Sequence, residues 1–153
     1  MINDRLIQVA QDLSRRTGHR PREAFMRRAV STACYAMFHA LAQLCADGLI
    51  GGLHARTVAW SRVYRALDHK PTKAVLQSAE AAALSPIVAD FGSAFAALQE
   101  RRHQADYDPA PFQYYFNETA TLVELAHSAT QKLDSLGADE RRTLAVLILF
   151  KQR

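Results

Sequence analysis

A chain of 153 residues that is 49% hydrophobic and 22% charged can bury a real core as one domain spanning 1–153, which excludes the disordered and fibrous classes. Six glycines and five prolines are few, favouring helices over a turn-rich β fold. The net charge of +4 is too small to mark a dedicated nucleic-acid binder, and the longest unbroken apolar run, 144–150, is too short to span a bilayer.

The start, Met1-Ile2-Asn3-Asp4-Arg5-Leu6, lacks the basic-then-apolar layout of a signal peptide, so a cytoplasmic protein without a membrane is expected. Asn3 is a plausible N-cap for a first helix with Leu6, Val9, Ala10 and Leu13 on one face. Thr17-Gly18 breaks it, and Pro21 suits the first turn of the next helix. From Arg22 to about Asp47 a long alanine-rich stretch reads as the central helix, ended by Gly48, Gly51 and Gly52. A shorter helix is expected over 54–67, burying Val58, Val63 and Leu67, and another over 71–84. Ser85-Pro86 then supplies an N-cap and a first-turn proline for a helix ending near Tyr107. After the Asp108-Pro109-Ala110-Pro111 turn, a helix over 112–136 carries Phe116, Leu122, Val123, Ala126 and Leu133. Gly137 stops it, and Asp139 and Glu140 start a last helix bearing Leu144, Leu147, Ile148 and Phe150. Short connections favour antiparallel neighbours, so the expected fold is an all-α, up-and-down bundle of about five to seven helices.

Cys34 and Cys45 fall on one helix, eleven residues and about 16 Å of rise apart. A disulfide needs Cα atoms within about 7 Å, so both read as small buried hydrophobes. The histidines at 19, 39, 54, 69, 103 and 127 are never three or four apart, so neither a metal nor a cofactor is expected. Charge is uneven: residues 1–74 hold twelve Lys/Arg against five Asp/Glu, and residues 75–153 hold seven against ten. Arg15, Arg16, Arg20, Arg22, Arg27 and Arg28 make a patch suited to phosphates, or equally the solvated rim of a helical hairpin.

The segment Arg102-His103-Gln104-Ala105-Asp106-Tyr107 is the most informative. Phe91, Phe95, Leu98, Arg102 and Ala105 follow 4-3-4-3 spacing, so a guanidinium falls on an apolar helix face. That placement is costly unless the charge is paired, with Asp106 one turn on, or lines a wet cleft. The central helix carries a matching stripe, Arg28, Thr32, Tyr35, His39 and Gln43, along an otherwise apolar rod. Two such helices could meet with Arg102 facing Tyr35 or His39.

The run Arg28-Ala29-Val30-Ser31-Thr32-Ala33-Cys34-Tyr35-Ala36-Met37-Phe38-His39 resembles the second-helix signature of HEPN domains (higher eukaryotes and prokaryotes nucleotide-binding). Arg102-x-x-Ala105-Asp106-Tyr107 is similar to the R-x-x-A-D-Y of a small prokaryotic branch of that family. The resemblance covers about 3–136 and leaves a C-terminal helix, 138–152, outside it. It implies a HEPN-type helical bundle that homodimerises, often beside a minimal nucleotidyltransferase partner in toxin–antitoxin pairs. It further implies metal-independent RNA cleavage by an arginine and a histidine with four to six residues between them. There the 2′-hydroxyl attacks the adjacent phosphate, histidine moves protons and arginine steadies the phosphorane charge. Here the chain departs from the pattern. Tyr107, Asp108 and Pro109 stand that far beyond Arg102, and Asp106, Tyr107 and Asp108 beyond Arg101. His103 projects about 100° away around the helix, and tyrosine, with a reference pKa of about 10, is a poor base.

The leading expectation is therefore a nucleotide- or RNA-associated binding or regulatory module whose ligand site is Arg102, Asp106, Tyr107, Tyr35 and His39. The second is a ribonuclease in which Arg102 stabilises the transition state and His39, or His103, is the base. The third is a helical assembly protein in which Arg102 and Asp106 only join two helices.

Overall fold

The computed structural model describes residues 1–16, 22–112 and 116–150. Among these residues the chain is an all-α helical bundle of eight α-helices and one 3-10 turn, with no strand. Its contacts divide into two compact units, each built from sequence-distant segments: Met1–Met37 with Ala94–Thr130, and Phe38–Ser93 with Gln131–Arg153.

The first unit holds α1 (Ile2–Ser14), the N-terminal part of α2 (Arg22–Leu49), the C-terminal part of α6 (Pro86–Tyr107) and most of α7 (Phe116–Leu133). Helix α1 starts at Ile2, so Asn3 is not its cap; Asn3 is buried and donates to Asp4 Oδ1 at 3.2 Å. The buried face is Asn3, Ile7, Ala10 and Ser14, while Val9 is 47% exposed, which moves the face by one position from the apolar reading. Of the two polar residues on the inner face, Ser14 satisfies its hydroxyl on the Gln11 carbonyl at 2.9 Å, a bond invisible to a hydropathy pattern. Met26, Ala29, Val30, Ala33 and Cys34 of α2, Phe95 and Leu98 of α6, and Val123 and Ala126 of α7 are buried. Full burial of each large side chain contributes about 1.5–3 kcal/mol. Residues 17–21 lie outside the described residues, as does the side chain of Phe116, so the Thr17-Gly18 break and the placement of Pro21 are not described.

The second unit holds the C-terminal part of α2, the 3-10 turn Gly52–His54, α3 (Val58–Arg65), α4 (His69–Leu76), α5 (Ala79–Leu84), the start of α6 and α8 (Ala138–Leu149). Helices α4, α5 and α8 touch one another. Gly48 does not end α2. It lies inside the helix, where an added Cβ would sit 3.3 Å from the Arg141 carbonyl oxygen; Gly51, at φ +100°, ends it. The segment 54–67 is helical only from Val58, because Arg56 has φ 69° and Thr57 takes the cap, accepting from Trp60 N at 3.3 Å. Val58 is 79% exposed rather than buried, whereas Leu67 is buried. The single helix expected over 71–84 is two, because Ser78 caps a new start by accepting from Ala81 N at 3.2 Å. Ser85 caps α6 as read, accepting from Ile87 N at 3.2 Å. In α8, Gly137 N–H donates to Glu140 Oε2 at 2.9 Å, and Leu144, Ala145 and Ile148 are buried while Phe150 is 61% exposed.

Helix α2 is long and apolar enough, averaged over a window, to cross a membrane, although no unbroken apolar run there is. Within the protein 72% of that window is buried, as in a core helix. Both cysteines are free on α2 and fully buried; burial pushes Cys34 up to about 11 and Cys45 to about 12.

Candidate functional site

The last two turns of α6 present Arg102 and Asp106 at i,i+4, the spacing that brings side chains together on a helix. Arg102 Nε donates to Asp106 Oδ2 at 3.2 Å. Its Nη2 donates to the Tyr35 hydroxyl at 3.0 Å, and its central carbon lies 4.6 Å from the Tyr35 ring centroid. Ser31, one turn before Tyr35 on α2, donates from Oγ to the same Asp106 oxygen at 3.2 Å. All four residues belong to the first unit. Ser31 is 2% exposed and Tyr35 37%, so one face of the cluster is buried and the other open.

The arrangement fixes a guanidinium through two of its three nitrogens and one ring face. Nη1 makes no hydrogen bond among the described residues. A planar fork held this way keeps its remaining N–H groups aimed, which suits an oxyanion. Asp106 balances the charge when no ligand is present.

Two other expected site residues are not part of this cluster. Tyr107 is 67% exposed, with a ring contact to His103 at 5.2 Å. His39 belongs to the second unit, where Nδ1 lies 2.6 Å from the Tyr64 hydroxyl. Burial lowers the His39 pKa and raises that of Tyr64, so both are neutral near pH 7. Tyr64 stacks on Trp60 at 5.0 Å, and Trp60 Nε1 donates to Asp47 Oδ1 at 2.8 Å. Asp47 also accepts from Gln43 Nε2 at 3.2 Å. The stripe on α2 therefore meets different partners along its length: Tyr35 engages Arg102, and His39 engages Tyr64.

In the sequence Arg27 is one cation of a basic patch. It is a clamp. Its Nη1 donates to the carbonyls of Gln104, Ala105 and Asp108 at 3.2, 3.0 and 2.9 Å, and Nη2 to that of Ala110 at 2.6 Å. They lie at the end of α6 and in the turn after it, and the Gln104 carbonyl also accepts from Asp108 N at 3.1 Å. Glu23 holds the other edge, accepting from Arg27 Nε and Nη2 at 3.0 and 2.9 Å, and accepts from Phe112 N at 2.9 Å. A cleft of about 250 Å³ opens beside the clamp, lined by Arg27, Arg101, Gln104, Asp108, Ala110, Pro111 and Phe112. None of the expected site residues lines it. The Glu23–Arg27 spacing of four is the one sequence signal for this pair. Elsewhere in the patch, Arg16 lies 5.0 Å over the Phe25 ring, Arg28 is exposed, and Arg20 is outside the described residues.

Among the described residues, no group of three or more His, Cys, Asp or Glu side chains could hold a metal ion. No family model, no curated protein and no solved structure matches the chain.

Proposed function

We propose that this protein is a HEPN-type binding or regulatory module that takes a phosphate-bearing ligand, an RNA or a nucleotide, at Arg102. In this reading it acts in the cytoplasm as a homodimer, beside a nucleotidyltransferase partner in a toxin–antitoxin-like pair. The observation that carries it is the Arg102 guanidinium, oriented by Tyr35 and Asp106 and keeping Nη1 without a partner among the described residues. The likeness of 28–39 and 102–107 to HEPN motifs supports the choice of ligand class and of partner. Charge-assisted hydrogen bonds contribute about 1.5–3 kcal/mol each, enough for roughly tenfold in affinity. The test is fluorescence anisotropy with labelled single-stranded RNA and with a labelled adenosine nucleotide, wild type against Arg102→Ala. A roughly tenfold loss in a folded variant is expected. Unchanged binding overturns the reading and leaves a helical assembly protein.

The second reading is a metal-independent endoribonuclease. It draws on the likeness of 28–39 and 102–107 to HEPN motifs, with Arg102 steadying the phosphorane charge and His39 or His103 as the base. Incubation with total RNA and tRNA without metal tests it, with Arg102→Ala and His39→Ala alongside. Cleavage that needs both side chains establishes the nuclease; intact RNA at high protein excess removes it.

A further inference from the structure

A different face, in the second unit, carries charge that nothing above uses. Residues 48–67 contain no Asp or Glu, yet hold Arg56, Arg62 and Arg65. These three arginines, with Val58, Ser61 and Ala66, line an open concavity of about 480 Å³. All six residues fall within Phe38–Ser93. None of the three guanidiniums has an ion pair or hydrogen bond among the described residues, whereas Arg27, Arg102, Arg141 and Arg142 all do.

Like charges at helical neighbour spacing repel, so Arg62 and Arg65 on α3 stabilise nothing in each other. Their place in the last turn of α3 favours the helix dipole, but that would be served as well by lysine. Arg56 is stronger evidence. It is the one non-glycine among the described residues with positive φ, 69°, a conformation that costs an ordinary residue energy and glycine none. A glycine would relax the backbone at this point but would bring no guanidinium to the concavity. Val58 and Ala66, at the two ends of α3, both line the space, so the helix dipole adds no net field and the attraction rests on the guanidiniums. Among the described residues no aromatic ring lines it: Trp60 is stacked on Tyr64 and bonded to Asp47. Bases therefore have no platform, while clustered oxyanions have three forked donors and the Ser61 hydroxyl.

We infer that the concavity formed by Arg56, Arg62 and Arg65 is an anion site for a ligand carrying adjacent phosphate groups, separate from the Arg102 cluster. Arginine is the residue type for it because its fork bonds two oxygens of a phosphate at once, and several forks around one space bind a di- or triphosphate chain. The inference does not depend on the function proposed for Arg102.

The experiment is calorimetric titration of the full chain with tripolyphosphate at low salt. It compares wild type, Arg62→Ala/Arg65→Ala, Arg62→Lys/Arg65→Lys, Arg56→Gly and Arg102→Ala. Saturable binding is expected in wild type and in Arg102→Ala. The double alanine variant should lose at least about tenfold in affinity, and the double lysine variant part of that, since lysine keeps the charge but not the fork. Arg56→Gly should bind more weakly while melting at or above the wild-type temperature, which separates ligand loss from unfolding. A single-stranded RNA oligonucleotide added as competitor distinguishes sources. If it displaces tripolyphosphate, the natural phosphates are those of a nucleic-acid backbone, and if not, those of a free oligophosphate. Absence of saturable binding, equal affinity in the double alanine variant, or loss confined to Arg102→Ala overturns the inference.

Discussion

Arg102 and Tyr35 meet twice over: the guanidinium lies 4.6 Å from the ring centroid and donates to the hydroxyl at 3.0 Å. The two contacts can be separated by mutation. Tyr35→Phe keeps the ring and removes the acceptor, at a cost of about 1 kcal/mol or less on a partly exposed face. Arg102→Ala also breaks the Asp106 pair, but because these side chains are partly exposed the loss should be about 1–2 kcal/mol, below that of a fully buried pair. Urea denaturation measures both. If Arg102 aims at a ligand, Tyr35→Phe lowers RNA or nucleotide affinity severalfold with little change in stability. A loss of stability alone in both variants marks a purely structural contact.

The Glu23–Arg27 clamp makes the end of α6 sensitive to acid. The Glu23 carboxylate sits below its ordinary range, first because Phe112 N–H donates to it and then because Arg27 does. A carboxylate with a depressed pKa contributes stability above its unfolded value and loses it as pH falls through the folded value. Melting temperature should therefore drop as pH goes below the ordinary glutamate range, and Glu23→Gln should flatten that limb. Arg27→Ala should cost about 2 kcal/mol, since it strips four carbonyls of a charged donor. Hydrogen exchange should quicken around 104–112.

Gly92 on α6 is packed against α4 more tightly than any side chain permits. A Cβ there would lie 2.5 Å from the Leu76 carbonyl oxygen. Gly92→Ala should lower stability by about 1–3 kcal/mol through overpacking, despite a helix-propensity gain of about 1 kcal/mol. Gly48→Ala, with 3.3 Å to the Arg141 carbonyl, should be close to neutral. Thermal melts of the two variants side by side test the contrast.

The His39–Tyr64 pair should give a second, milder pH effect. His39 titrates below its ordinary value because burial penalises the charged ring. Its contribution is full above the unfolded pKa and is lost as pH falls through the folded one. The melting temperature should fall as pH drops below the ordinary histidine range, before the Glu23 window, and His39→Gln should remove this step. A curve as steep in His39→Gln as in wild type rejects the assignment.

Much of the helical layout was legible because it is local. Ser85-Pro86, the i,i+4 pair of Arg102 and Asp106, and the apolar run of α2 carry their signals within one or two turns. Where local signals competed, reading failed. The inner face of α1 includes Asn3 and Ser14, and Ser78 restarts a helix inside an alanine-rich run. Val58 looked like core and is exposed, because the chain turns at Arg56 before α3 begins.

The sequence by itself determined that this is an all-helical chain with a guanidinium on an apolar face and its carboxylate one turn on, since helical periodicity dictates both. Only the tertiary structure decided that Tyr35 rather than His39 meets Arg102. It also decided that Arg27 closes the end of α6, and that Arg56, Arg62 and Arg65 share one concavity. The Arg27 acceptors are backbone carbonyls 77 to 83 residues away, and carbonyls are the same in every residue. Which of them a side chain reaches is set by how the helices pack.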